Sequence, residues 1–123
     1  MIHFDANFLI AALTGGSEAA ARVESWIRDG ETLAISTVAY AEFLCGPLSA
    51  ADAASSQTLL PDPVPLTSPD AKKASELFNA TGRRSRSLRD CLIAATAIQR
   101  GAQLATYNRD DFVRFVPHGL RLL

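Results

Sequence analysis

Short apolar segments alternate with helical patterns along the whole chain. Met1 to Phe4, Thr32 to Ile35 and Gln103 to Thr106 have the length and apolar character of buried strands. Segments with the apolar spacing of helices follow each of the first two strands and lie between the second strand and the third. Parallel strands require such crossover helices. The pattern therefore predicts an α/β fold, with a mostly parallel sheet of about four to five short strands flanked by helices.

Several element boundaries can be predicted from individual residues. Ser68-Pro69-Asp70 combines a cap, an early proline and an acid, which predicts the start of a helix. Ser87 and Asp90 have the spacing of a capping box for a helix that runs to Arg100. Val64-Pro65-Leu66 is predicted to be a short strand, with its proline either on an edge strand or at the entry of a strand. After the third strand, we expect a loop and then a final short strand at the C-terminus.

Length and composition limit the class of protein. The 123 residues fit a single domain spanning residues 1–123. No apolar run approaches the roughly 18 residues of a membrane span, and no signal peptide is apparent, so we expect no membrane partner. Cys45 and Cys91 lack CxxC spacing and lie in apolar contexts. They are expected to be reduced packing residues of a cytoplasmic protein.

The charges are unevenly distributed. Residues 1–70 carry nine acidic and two basic side chains, whereas residues 71–123 carry four acidic and ten basic ones, for a net charge of −1. This asymmetry favours a surface that faces a polyanion or a partner. Runs of arginine are usually solvated or bound to a partner, but beside a metal site they equally suit phosphate contacts. The run in question is Arg83, Arg84, Arg86 and Arg89.

Four acidic residues lie just past predicted strands or in the helices that follow. They are Asp5, Glu42, Asp90 and Asp111. In open α/β sheets, sites form at the carboxyl ends of the strands. Carboxylates gathered there repel one another unless a positive charge neutralises them, and a divalent cation is the usual solution. The four positions therefore predict metal-dependent chemistry on a phosphate substrate. Of the adjacent Asp110 and Asp111, only one is expected to face the site.

Each of these residues also has a structural alternative. Asp5 can be the N-cap of the following helix, and Asp90 can serve the capping box. Glu42 lies in a helix whose other residues are apolar, and we expect every face of that helix to be buried. A metal or catalytic role is favoured for Glu42, with a salt bridge to an arginine as the alternative. Asn7 can orient Asp5 or a water molecule, and Asn108 can bind water or donate to phosphate.

Four motifs occur in the order and spacing of a known family. They are Asp5-x-Asn7-x-Leu9, Ser36-Thr37-Val38 followed by Ala41-Glu42, Asp90-x-x-Ile93-Ala94-Ala95-x-Ala97, and Thr106-x-Asn108-x-x-Asp111-Phe112. On these motifs the chain resembles a PIN domain, and more narrowly a VapC-type toxin ribonuclease of a toxin–antitoxin system. The resemblance covers essentially the whole chain.

The resemblance implies a cytoplasmic endoribonuclease that hydrolyses RNA with Mg²⁺, or Mn²⁺, as its cofactor. The metal ligands of the family correspond to Asp5 and Asp90, and Glu42 completes the core of the site. Many relatives carry Asp where this chain has Asn108. We expect Asp111 to supply the fourth acid in its place, with Asn7 and Asn108 in supporting roles.

The resemblance also implies partners. Such toxins are neutralised by a cognate antitoxin whose C-terminal segment enters the active-site groove. They commonly form homodimers and bind operator DNA only through the antitoxin.

Two other functions remain open from the sequence. In one, Asp5 is the nucleophile of a phosphoryl-transfer enzyme, although such enzymes usually carry a second Asp where this chain has Asn7. In the other, the chain is a non-catalytic PIN-fold module that binds RNA or protein.

Overall fold

Four parallel strands form the central sheet. The computed structural model describes residues 1–123 and gives the strand order β2-β1-β3-β4. The strands are β1 (Ile2–Phe4), β2 (Leu33–Ile35), β3 (Gln103–Ala105) and β4 (Arg121–Leu122). β1 pairs in parallel with both β2 and β3, and β3 pairs in parallel with β4. The predicted α/β fold with a parallel sheet is confirmed.

Seven helices connect and cover these strands. They are α1 (Ala6–Ala12), α2 (Glu18–Arg28), α3 (Thr37–Cys45), α4 (Ala50–Leu59), α5 (Ser68–Ala80), α6 (Leu88–Gln99) and α7 (Arg109–Phe112), and a 3₁₀ helix (Val113–His118) follows α7. No helix is both long and apolar enough to cross a membrane.

The core is built around the central strand β1. Ile2 and Phe4 are buried, as expected for a parallel strand that is covered on both faces. The ring of Phe4 meets that of Phe8 of α1 edge-on, with 5.1 Å between centroids, and Trp26 of α2 packs on both. This packing holds α1 directly beyond the carboxyl end of β1, where Asp5 lies.

Two segments differ from the prediction. Val64 forms a single parallel bridge with Ser36 and not a strand, because Pro65 has no N–H with which to continue the ladder. The segment expected to be a loop after β3 is helical in α7 and in the 3₁₀ helix. Phe112 and Phe115 are buried there and their rings meet edge-on with 6.1 Å between centroids, so core packing stabilises these short turns.

The predicted capping box of α6 is wrong. Ser87 has helical backbone angles and donates from Oγ to the carbonyl oxygen of Arg84 at 2.8 Å, so it does not cap the helix. The capping box occurs instead at α5, between Thr67 and Asp70. The cap of α5 therefore lies one residue before the predicted Ser68. The side chain of Asp90 takes no part in a capping box and is available to the functional site.

The two cysteines also differ from each other. Cys91 is buried as expected, but Cys45 is exposed at the end of α3 and does not pack in the core. Apolar residues of α3 face solvent at this end, so the expectation that every face of α3 is buried is wrong. Leu44, for example, is 47% exposed.

A buried ion pair ties α5 to α6. Arg100 donates from Nη1 and Nη2 to the two carboxylate oxygens of Asp70, at 2.8 and 2.9 Å. Burial would raise the pKa of Asp70, but hydrogen bonds from Arg100 and Thr67 outweigh it and hold that pKa below its usual value. His3 of β1 is buried nearby without a hydrogen-bond partner. Burial and the charge of Arg100 lower the pKa of His3 to about 4, so the ring is neutral at pH 7.

Breaking this pair is expected to destabilise the fold. The Arg100→Met variant leaves the Asp70 carboxylate buried without its cation, which should lower the free energy of unfolding by about 3 kcal/mol. Urea unfolding at neutral pH measures the change, and Lys72→Met on the exposed face of α5 is the matched control. Adding Asp70→Asn to Arg100→Met should recover at least about 1 kcal/mol, because it removes the unpaired charge. Equal stability of Arg100→Met and Lys72→Met would show that the pair contributes nothing.

Candidate active site

Asp5 is the most buried carboxylate at the carboxyl edge of the sheet. It is 3% exposed and caps α1, accepting from the backbone N–H of Ala6 at 2.9 Å. Its other oxygen accepts from the hydroxyl of Thr106 at 2.7 Å. Burial raises the pKa of Asp5, and these two hydrogen bonds offset only part of the effect. The capping role is therefore present, and it leaves Asp5 oriented at the strand end.

Thr106 is the residue that orients Asp5. It follows β3, is buried, and accepts from the backbone N–H of Asn108 at 2.9 Å while donating to Asp5. Asn7 holds the backbone of Tyr107 and is not bonded to Asp5, because its side-chain oxygen accepts from the backbone N–H of Tyr107 at 3.2 Å. The sequence motif contained Thr106, but no role was assigned to it. The sequence signal for this role is the hydroxyl of Thr106, one residue beyond the strand β3, which pairs with β1.

Asp90 lies in the first turn of α6 with its side chain 18% exposed. Burial, and then the negative charge of Asp111, raise the pKa of Asp90 to about 6, and the charge of Asp5 adds to this. The positive charges of Arg89 and Arg114 act in the opposite direction. The charges of Asp5 and Asp111, which come from different elements of the fold, therefore both act on Asp90.

Asp111 belongs to the same group of charges. It lies on α7, where it is exposed, and its charge contributes to the raised pKa of both Asp5 and Asp90. The adjacent Asp110 affects neither of them. Of the two neighbouring acids, Asp111 is thus the one whose charge reaches the other carboxylates. Asn108 precedes α7 and makes no side-chain cap.

Glu42 approaches the group from α3. Burial raises the pKa of Glu42, the charge of Arg89 opposes this, and the charge of Asp5 adds to it. Its carboxylate lies 3.7 Å from Nε of Arg89, and the side chain is 35% exposed. The ion pair kept as the alternative for Glu42 is therefore present. It lies within the acidic group, so it does not separate Glu42 from the other carboxylates.

The arginines divide into two sets. Arg89 is within the site, where its charge lowers the pKa of Asp5, Glu42 and Asp90. Arg83, Arg84 and Arg86 lie in the exposed loop before α6, and Arg83 stacks over Phe78 at 5.3 Å.

Arg114 is a site residue that the sequence analysis missed. Its Nη2 lies 3.7 Å from the carboxylate of Asp90, and its guanidinium covers the ring of Phe115 at 4.8 Å. Helical spacing from Asp111 would have identified it, but this segment was predicted to be a loop.

The comparison with known proteins decides the family. The sequence matches the family model of the PIN domain over residues 2–116. The chain belongs to the PIN domain family. No curated protein sequence matches it.

Solved structures share this PIN fold. VapBC2 from Rickettsia felis, bound to a promoter DNA fragment, contains a chain 20% identical to this one, with a TM-score of 0.79 over 100% of this chain and 98% of that chain. DNA-bound VapBC from Salmonella typhimurium gives 20% identity and a TM-score of 0.76, over 99% and 96%. A toxin–antitoxin complex from Klebsiella pneumoniae gives 25% identity and a TM-score of 0.73, over 91% and 90%.

The chemistry of the donor set suits a hard divalent cation. No three acidic, histidine or cysteine side chains of the PIN domain already converge on one metal position. Magnesium, however, is held directly by only one or two carboxylates and keeps several of its waters. Asp5, Glu42 and Asp90 all have raised pKa values, first because burial disfavours their charge and then because neighbouring carboxylates repel it, and a bound cation would offset both effects. Asp5 and Asp90 fit Mg²⁺ or Mn²⁺ as direct ligands, with Glu42 beside them.

Removing the charge of Asp90 is expected to stabilise the metal-free PIN domain at neutral pH. The pKa of Asp90 is raised from 3.8 to about 6 in the folded state, so the group costs no stability below pH 3.8, where it is neutral in both states, and its penalty grows as the pH rises from 3.8 through 6. Asp90→Asn should therefore raise the free energy of unfolding by about 1–2 kcal/mol at pH 7, and by little near pH 4. Thermal unfolding in EDTA at both pH values measures this.

The matched control for this prediction is Asp62→Asn, at an exposed acid between α4 and α5 and outside the site, which should change stability little at either pH. A lower melting temperature for Asp90→Asn than for the unmodified protein at pH 7 would contradict the prediction. That result would mean that the contact with Arg114 outweighs the carboxylate repulsion.

Proposed function

We propose that this PIN domain is a metal-dependent endoribonuclease that acts in the cytoplasm as the toxin of a toxin–antitoxin pair. The observation that carries the proposal is that Asp5, Glu42 and Asp90, which come from separate elements, all have raised pKa values: burial is the largest cause, and the charge of a neighbouring carboxylate adds to it in each case. Repulsion between carboxylates does not stabilise a fold. It suits a site that binds a cation and a phosphodiester, because the bound cation offsets the repulsion. Membership of the PIN family and the fold shared with toxin–antitoxin complexes support the proposal.

The cation would be held by Asp5 and Asp90, with Glu42 completing the site. A bound Mg²⁺ or Mn²⁺ polarises the phosphate and lowers the pKa of a coordinated water. The hydrogen bond from Thr106 holds Asp5 in one orientation, so its free oxygen lone pairs point in a defined direction. Asp111 supplies further negative charge in place of the acid missing at Asn108.

Glu42 is the proposed base for hydrolysis. Its raised pKa makes it a better proton acceptor than an ordinary glutamate. Glu42 orients the attacking water and takes its proton as the water oxygen bonds to phosphorus. The bond from phosphorus to the leaving ribose oxygen breaks, and that oxygen takes a proton from solvent to leave as a hydroxyl.

Arginines bring the substrate to this acidic site. Arg89 is 58% exposed and can leave its ion pair with Glu42 to bind a phosphate oxygen of the RNA. The carboxylate of Glu42 is then free to act as the general base. The exposed Arg83, Arg84 and Arg86 precede it and add positive charge for flanking phosphates or for contact with the antitoxin.

The proposal extends to the assembly. By analogy with the complexes that share its fold, the chain is expected to bind a cognate antitoxin, to form a homodimer, and to reach operator DNA only through the antitoxin. The R. felis and S. typhimurium complexes are both bound to DNA.

Charge-neutralising substitutions test the reaction. Asp5→Asn and Asp90→Asn should each reduce RNA cleavage at least about 100-fold, because both weaken the hold on the cation while an amide preserves side-chain shape. Total RNA incubated with Mn²⁺ or Mg²⁺ reveals the fragments, and EDTA should abolish them. Asp62→Asn, at an exposed acid between α4 and α5, is the matched control and should cleave normally. Undiminished metal-dependent cleavage by both Asp5→Asn and Asp90→Asn would sink the assignment.

The rival functions give different results in the same samples. A non-catalytic module would show no cleavage and a melting temperature indifferent to Mg²⁺ or Mn²⁺. An aspartyl phosphoryl-transfer enzyme would accumulate a phosphate ester on Asp5.

A further inference from the structure

Tyr107 presents an exposed aromatic ring beside the carboxylates. It is 49% exposed, and the proposed reaction does not use it. One face of the ring stacks on Phe8, with centroids 5.4 Å apart and planes 26° apart. Phe8 is itself buried against Trp26, and the guanidinium of Arg22 covers both rings at 5.4 and 5.0 Å. The ring of Tyr107 is thus the open end of a stack that is anchored in the core.

The backbone around Tyr107 is held on both sides. Its N–H donates to the side-chain oxygen of Asn7 at 3.2 Å. The preceding Thr106 is bonded to Asp5, and the following Asn108 donates its N–H to Thr106. Tyr107 therefore has a defined position relative to Asp5, which a freely moving surface side chain would not have.

Tyr107 lines a polar pocket. This pocket has a volume of about 360 Å³ and is lined by Tyr107, Asn108, Arg109, Asp110 and Asp111. That volume is at the lower end of the range for small-ligand sites. Asp111 also acts electrostatically on Asp5 and Asp90, which places the pocket next to the proposed site of cleavage.

The charges of the pocket indicate which part of a nucleotide it accepts. Asp110 and Asp111 both line it, and the one cation, Arg109, hydrogen bonds to the carbonyl oxygen of Leu123. Two carboxylates repel a phosphate. They and the amide of Asn108 offer acceptors that match the N–H groups on the edge of a nucleobase. A flat, neutral group fits this chemistry better than the backbone does.

We propose that Tyr107 is a positioning residue that stacks an unpaired purine of the RNA next to the scissile phosphate. The edge of the base then faces Asn108 and Asp110. The inference rests on the proposed function and adds a substrate preference to it: single-stranded RNA, because a paired base cannot expose its face, and purine, because a larger ring gains more from stacking.

Binding of short RNA oligomers tests this without requiring cleavage. The probes are a fluorescent all-uridine oligomer and the same oligomer with one central adenosine or guanosine. The protein is the full-length Asp90→Asn variant in EDTA, and anisotropy gives the dissociation constants. A purine-containing probe should bind more tightly than the all-uridine probe. Adding Tyr107→Leu should weaken purine binding about 5- to 50-fold and remove the preference, whereas Tyr107→Phe should retain both.

Controls separate stacking from damage to the fold. Melting temperatures report whether Tyr107→Leu remains folded, and Ile27→Ala, an exposed apolar residue in a different groove, should leave RNA binding unchanged. Equal affinity for the three probes, or no measurable affinity for any, would overturn the inference. Unchanged purine binding in folded Tyr107→Leu would also overturn it and would assign the ring to packing or to a protein partner.

Failure of this inference is distinct from failure of the proposed function. If the unmodified protein cleaves RNA but Tyr107→Leu shows the same purine affinity, only the base pocket is rejected. If purine-selective binding is observed but the unmodified protein cleaves nothing with Mg²⁺ or Mn²⁺, the nuclease assignment fails and the pocket stands.

Discussion

The parallel pairing of β1 with β3 is the constraint on which the rest of the site depends. The register aligns Phe4 with Ala105, so the next residues along the two strands, Asp5 and Thr106, meet at the same edge. The backbone N–H of Asp5 donates to the carbonyl oxygen of Ala105 at 2.9 Å, and the Thr106 hydroxyl then reaches the Asp5 carboxylate. A shift of one residue would turn the side chain of Asp5 to the other face of the sheet. Asp5 is therefore the fixed carboxylate of the site, and Glu42, Asp90 and Asp111 are the others grouped with it.

The site holds more negative charge than the fold alone would favour. Asp5, Glu42 and Asp90 are all harder to ionise than isolated carboxylates, mainly because of burial and also because of neighbouring negative charge, and the nearby Arg89 and, for Asp90, Arg114 offset only part of this. The ion pair between Asp70 and Arg100 shows the opposite design, since each charge there meets its partner at hydrogen-bond distance. The contrast separates charges that support the fold from charges held apart for a ligand.

Much of this arrangement was predictable from local patterns. The strand ends, the acids that follow them and the parallel sheet all follow from alternating apolar segments and from helix signals. The errors have two origins, because some residues depend on distant packing and others have two competing local hydrogen bonds. Phe112 of α7 and Phe115 of the 3₁₀ helix are buried in the core, and this burial stabilises turns that no local pattern predicted. Ser87 has the spacing of a cap, yet its backbone and hydroxyl serve the preceding turn instead.

The sequence by itself determined the fold class, the family and the four carboxylate positions, because strand length, helix caps and motif spacing are local properties of the chain. Only the tertiary structure decided which of these residues act together. It placed Thr106 beside Asp5, Arg89 against Glu42 and Arg114 near Asp90. These contacts join residues from 24 to 101 positions apart in the chain. Their geometry follows from sheet register and helix packing, which no local pattern specifies.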